Sequence, residues 1–273
     1  MARSSWSPPP VPAEHGAWAM LLLPLVLGIE LAGPRPSAAW LVPPAAILAF
    51  LAHNAVAPAA QRLLTGKTAP REWFRRRAIW GSLYFALSVV TFGAVVALVP
   101  GPSRSPLLLA ALPAASGAAV YSVFAIAGAR KRIGAELTGM ASLALSAPIT
   151  ALASGGPVGA RAAGATVVAF AYSVSALAFV RAYAHRNGSA RVAAARCIAA
   201  HLLLAGGLVA LVGCGWLSPG WLLAFVPVVV RTAWGLLGPP RNVRGVGFRE
   251  IGVVVAVAAI ASVLVLSGGE VVS

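Results

Sequence analysis

Six acidic residues, all glutamate, and four histidines make up the acid–base inventory of this 273-residue chain, which contains no aspartate. Each glutamate near an imidazole or guanidinium therefore narrows the available chemistry. Glu14 and His15 precede an apolar stretch, and His53 and Asn54 lie inside a second one. Glu136 opens another apolar stretch, Arg181, Tyr183 and His185 close the next, His201 lies within the one after, and Arg249 and Glu250 introduce the last. Ionisable groups at membrane depth are costly and persist where they pair or line a polar cavity, which makes such a layer a site hypothesis by default. Arg75, Arg76 and Arg77 lead toward Trp80 and Tyr84, which share a helix face. Guanidinium forks of this kind bind phosphate or carboxylate. Plainer roles stand beside these. Glu136 and Glu250 also suit helix N-termini, where the macrodipole favours negative charge. Glu14-His15-Gly16 also reads as a helix start, and the arginine run as an anchor at the membrane surface. His201, alone on an apolar helix, reads as a hydrogen-bonded packing residue. His53 with Asn54 has no such easy account, because two adjacent polar side chains in an apolar helix need partners that lipid cannot supply.

The elements that position these residues are membrane spans. Apolar runs of roughly 17–25 residues predict helices near 16–32, 38–60, 78–99, 106–129, 136–154, 162–180, 194–214, 216–237 and 250–267. This is an all-α fold, a polytopic transmembrane bundle of about nine spans. Residues 1–15 form a short tail and 16–273 a single helical domain. A composition that is 59% hydrophobic and 10% charged, with mean hydropathy +0.86, fits that class and leaves no room for a second, soluble domain. Threaded through these spans, all four histidines and three carboxylates fall near one depth at one side of the membrane.

Seventeen of the 21 Lys and Arg residues fall in four alternate connections. These are the connection from Arg62 to Arg77, the run Arg130-Lys131-Arg132, the segment Arg181 to Arg196, and the segment Arg231 to Arg249. The other side holds Arg35, Arg104 and Arg161. Cytoplasmic loops retain Lys and Arg, so the expected location is the bacterial cytoplasmic membrane, with the N-terminus inside and the C-terminus outside. In a soluble chain a net charge of +15 would suggest nucleic acid, but here it is spread over membrane loops and points to lipid headgroups as partners, not to nucleic acid.

Several signatures are absent. The sequence has no phosphate-cradling glycine loop, no cysteine pair at metal spacing and no nucleophile elbow. Cys197 and Cys214 lie about 25 Å apart on one predicted helix, too far for a disulfide. Histidines at one depth would suit metal or haem ligation, but none shows ligand-pair spacing on a single helix, so no cofactor and no metal is expected.

Glu14-His15-Gly16-Ala17-Trp18-Ala19-Met20, with Pro24 and Gly28 beyond, resembles the YwiC-like family of bacterial membrane proteins. The resemblance continues through His53-Asn54, Arg77 with Trp80, Glu136 with Gly139, Arg181 with Tyr183, and Arg249-Glu250. It departs at Ala55-Val56-Ala57-Pro58, where a Pro-Leu pair would be expected. More distantly, the span count and loop positions are similar to the UbiA-type prenyltransferases. That similarity implies nine helices and an active site on cytoplasmic loops. Those enzymes hold Mg²⁺ through aspartate-rich motifs, and Mg²⁺ needs hard oxygen ligands to bind a diphosphate. A chain without aspartate is not expected to transfer prenyl groups that way. The sequence thus leads to a UbiA-like bundle whose inner face binds an isoprenoid or an anionic small molecule. The candidate ligand-binding residues are Glu14, His15, His53, Asn54, Arg77, Glu136, Arg181, Tyr183, His185, Arg249 and Glu250. A small-solute or ion permease using the same polar layer is the alternative.

Overall fold

The computed structural model describes residues 9–11, 15–33, 38–128, 133–156, 158–184, 190–237 and 243–267. Among these the regular structure is helical: α1 (His15–Ala32), α2 (Val42–Leu64) entered through a 3₁₀ turn at Ala38–Leu41, α3 (Arg71–Leu98) and α4 (Gly101–Ile126). There follow α5 (Ile133–Ala144), α6 (Ser146–Ala153), α7 (Ala160–Ala184), α8 (Ala190–Gly213), α9 (Val226–Leu237) after a 3₁₀ turn at Pro219–Phe225, and α10 (Val243–Leu266). Eight helical segments are long and apolar enough to cross a membrane, and α1 is a ninth, shorter apolar helix. The chain is a multi-pass membrane protein.

Local sequence sets the helix limits. Pro43 and Pro44 occupy the first turn of α2, where a missing N–H costs nothing and the fixed φ suits a helix start. Gly66, with φ +65°, terminates α2 in the left-handed conformation that only glycine adopts freely. The fifth crossing breaks at Leu145 between α5 and α6 because Pro148 cannot donate to the Ala144 carbonyl.

Besides a small group of Phe179, Ala182 and Cys197 on α7 and α8, two packing groups make up the bundle. One joins the 3₁₀ turn before α2 and the start of α2 to α3, α4 and α6 through Ala39, Val42, Val95, Val99, Leu107, Ile149 and Leu152. The other gathers α1, α7, the turn before α9, α9 and α10 around Leu23, Leu27, Tyr172, Trp221, Val228, Val257 and Ala261. Buried α6, which packs on α1, α2, α4 and α7, joins the two groups. The approach of α1 to α6 is close: a Cβ at Gly28 would stand 2.7 Å from Thr150 Cβ and 3.0 Å from the Ala147 carbonyl. Gly28→Ala is therefore expected to cost about 1–3 kcal/mol, seen as a lower unfolding temperature of the detergent-solubilised protein. An unchanged transition would show that the two helices separate freely.

Charge divides the ends of the bundle. Arg62, Lys67, Arg71, Arg75, Arg76 and Arg77 cluster where α2 ends and α3 begins. At the opposite end Arg104 donates to the Val99 and Ala97 carbonyls at the close of α3, both at 3.0 Å. Arg161 there reaches the Val265 carbonyl at the end of α10, at 3.4 Å. Both satisfy the free carbonyls of a helix C-terminus, where the dipole also favours a cation.

Candidate functional site

Pro58 lies inside α2, so it cannot donate to the carbonyl four residues earlier, that of Asn54. In a membrane that carbonyl needs another donor. Arg77 on α3 supplies it: its Nη1 donates to the Asn54 carbonyl at 3.0 Å and to the Ala55 carbonyl at 3.3 Å. Arg77 also stacks on Trp73, with Cζ 4.5 Å from the ring centroid, and Arg62 lies 4.8 Å from the centroid of the same ring. The indole thus meets two cations, a favourable use of its π system. The Asn54 side chain donates to the Phe50 carbonyl at 2.8 Å.

His53, on the same stretch of α2, has Nδ1 2.9 Å from Ser122 Oγ of α4, and its ring is 5.1 Å from that of Tyr121. Tyr121 packs over Gly139 of α5, where a Cβ would meet the ring at 3.1 Å. One turn before Gly139, Glu136 pairs with Arg181 of α7 at 2.5 Å. Polar contacts thus join α3 to α2 to α4, and α5 to α7, at the basic end of the bundle, with the Tyr121 ring packed over Gly139 linking the two sets.

A second polar centre lies among α7, α8, α9 and α10. Arg231 Nη1 donates to Glu250 Oε2 at 2.7 Å, and both side chains are almost wholly buried, 4% and 2% exposed. Arg231 Nη2 donates to Ser175 Oγ at 2.5 Å and lies 3.4 Å from Thr232 Oγ1. Its guanidinium lies over the Phe179 ring, 4.7 Å from the centroid. His201 Nδ1 is 2.8 Å from the Cys197 carbonyl, which can only accept, so the hydrogen-bond pattern assigns a proton to Nδ1. Nε2 faces the hydroxyls of Ser175 and Thr232, each at 2.8 Å. Tyr172 Oη lies 3.4 Å from both Glu250 Oε2 and the Glu250 backbone carbonyl, so its one proton is shared between the two acceptors. Glu250 Oε1 and Arg231 Nε have no hydrogen-bond partner among the described residues.

The expected single polar layer is thus divided. The structure brings together His53, Asn54 and Arg77, pairs Glu136 with Arg181, and places Glu250 in the separate second centre. Tyr183 packs with Phe179, ring centroids 6.0 Å apart, and Arg249 is exposed. His15 begins α1, while Glu14 and His185 lie outside the described residues. Among the described residues no three His, Cys, Asp or Glu groups approach closely enough to hold a metal ion.

Three expectations are corrected. Arg231, counted with a basic connection although the span expected at 216–237 covers it, lies within α9, and the apolar Trp234, Leu236 and Leu237 after it are the sequence signal of that helix continuing. Glu250 does not open its helix, because α10 starts at Val243 and carries it two turns inward. His201 sits 11 residues into α8, about 16 Å along the axis, deeper than the other histidines were placed. Sequence reasoning missed Ser175, Thr232 and Tyr172, which an apolar pattern does not distinguish from ordinary packing residues. Cys214 is exposed just beyond α8.

Compared with known proteins, the chain matches the family model described as YwiC-like protein over residues 11–151. No curated protein and no solved structure matches it.

Proposed function

The chain belongs to the YwiC-like family, and from that premise we propose that it is a membrane-embedded binding protein for an amphiphile with an anionic, phosphate-type head, taken at the basic end of the bundle. The carrying observation is the junction of α2 and α3. Arg62, Lys67, Arg71 and Arg75 are exposed there beside Leu63 and Leu64, which are 69% and 72% exposed. Cations next to bare apolar side chains suit a ligand whose head is charged and whose tail stays in lipid. Trp73, in contact with both Arg62 and Arg77, gives that junction a fixed aromatic floor. His53, Asn54 and Arg77 shape the wall beneath, while the exposed arginines meet the head.

By the positive-inside bias the basic end lies in the cytoplasm and the C-terminus outside, in a bacterial inner membrane. The nine apolar helices agree in number with a UbiA-like plan, and this reading takes over that plan without its Mg²⁺-diphosphate step, for which the chain has no aspartate. A permease is the second reading. It draws on one observation: α10 carries Glu250 in one half and, in the other, Ser262, which donates to Glu30 of α1 at 2.5 Å.

Native mass spectrometry of the detergent-purified protein tests the proposal with three ligands: phosphatidylglycerol, a polyprenyl phosphate and phosphatidylcholine. Retention of one or both anionic amphiphiles over phosphatidylcholine is expected. The double variant Arg71→Gln/Arg75→Gln, which touches no internal contact described above, should weaken retention about 30-fold, from roughly 1 kcal/mol for each basic residue. Equal retention of all three lipids by wild type and variant would overturn the reading and favour a permease.

A further inference from the structure

We propose that Glu250 is a proton-binding site in the membrane interior, poised against Arg231. It occupies a different part of the bundle from the basic end and does not depend on the ligand taken there. Glu250 is 2% exposed, and its side-chain contacts described above all fall on one of its two carboxylate oxygens: Arg231 donates to Oε2, and Tyr172 shares its proton between Oε2 and the Glu250 backbone carbonyl. Oε1 is buried without a partner among the described residues. An ionised carboxylate half-satisfied in hydrocarbon is expensive. A proton added at Oε1 neutralises the group and leaves both donors to Oε2 in place.

The surroundings of Arg231 suit two charge states of its partner. One side of the guanidinium faces Glu250, and the other is held by neutral groups: Ser175, Thr232 and the face of Phe179. His201, with Nδ1–H fixed on the Cys197 carbonyl, turns Nε2 toward the two hydroxyls and keeps that side in place. When Glu250 takes a proton, Arg231 keeps this second set of contacts. It also lies six residues from the end of α9, about 9 Å, within reach of the headgroup region for a long side chain that extends toward water. Protonation thus loosens the tie between α9 and α10 without emptying the site.

The described titratable and charged groups near Glu250 are few. They are Tyr172 on α7, Arg231 on α9 and, beyond Arg231, His201 and Cys197 on α8. On α1, which also packs on α10, Glu30 accepts from Ser262, 12 residues farther along α10, through Oε1, while its Oε2 is also buried without a partner among the described residues; unlike Glu250 it has no arginine on it among the contacts described above. The 3₁₀ turn at Pro219–Phe225, also packed on α10, carries no titratable group. On α10 itself neighbouring Arg249 is exposed, and at the ends of α7 Arg181 pairs with Glu136 and Arg161 with the Val265 carbonyl.

Infrared difference spectroscopy of the full-length protein in lipid, neutral against acidified buffer, tests the assignment through the C=O stretch of a protonated carboxyl group. Wild type should gain a band of buried type that Glu250→Gln lacks and Glu30→Gln retains, accompanied by about one more proton bound per chain than in Glu250→Gln. Should Glu250→Gln not fold, Tyr172→Phe supplies the assignment: losing its hydroxyl at Oε2 shifts a Glu250 band and no other. Identical carboxyl bands in wild type and Glu250→Gln, or a wild-type spectrum in which Tyr172→Phe moves nothing, would overturn the proposal.

Discussion

Arg231→Met, with Glu250 left in place, is expected to destabilise the protein by about 3–5 kcal/mol, because it leaves an uncompensated carboxylate in the membrane interior. The partner is 2% exposed, so water cannot take over the lost donor. Ser175 and His201 would also lose the cation they surround. The double replacement Arg231→Met/Glu250→Leu should recover most of that loss, since apolar residues of similar volume often replace a buried ion pair at no cost. Reversible unfolding in mixed detergent micelles measures both. A single variant as stable as wild type would mean that the pair is open to water, and a double variant as unstable as the single one would mean that packing, not charge, sets the cost.

Arg77 should show the second largest effect, and one that depends on a proline. Removing its side chain in Arg77→Ala leaves the Asn54 carbonyl without the donor that Pro58 had already denied it, a loss of about 1–3 kcal/mol for an orphaned buried acceptor. The stacking on Trp73 goes with it. Pro58→Ala restores a backbone N–H able to reach that carbonyl, so Arg77→Ala should cost less in the Pro58→Ala background. We expect a coupling of about 1–2 kcal/mol in the double-mutant cycle. Additive effects would show that the guanidinium serves another purpose. Arg77→Lys should not rescue fully, because a point-like ammonium cannot donate to the carbonyls and lie flat on the indole at once.

The spans were legible because hydrophobic length is a property of contiguous sequence. The limits of α1, expected at 16–32, lie at His15–Ala32, and a basic run marks the junction of α2 and α3 as it was read. Ends set by polar residues were less legible. The α3 helix continues outward through Arg77, Arg76 and Arg75 to Arg71, since arginine is a good helix former beyond the apolar core. The same habit of ending helices at the first charge put Glu250 at a helix start, and Arg231 was counted with a basic connection although the span expected at 216–237 covers it. Both residues were visible, but not as a pair, because only the approach of α9 to α10 reveals that each satisfies the other. His53 was singled out as needing a partner, and Ser122 meets that need from 69 residues away, a distance no local pattern spans. The role of Arg77 was in principle readable from Pro58, since a proline inside a span announces one unpaired carbonyl, but not which donor would find it.

The first helix packs chiefly on α6, α10 and α7 and only slightly on its neighbour in sequence, α2. Its Glu30 receives its hydrogen bond from Ser262, 232 residues later. At roughly 5–20 residues per second of synthesis, that separation is about 10–50 s during which α1 has left the ribosome before its last partner exists. Assembly in the bilayer therefore cannot close before α10 is made: α1 must be kept near the insertion machinery, with its glutamate shielded from lipid, until Ser262 arrives to meet it.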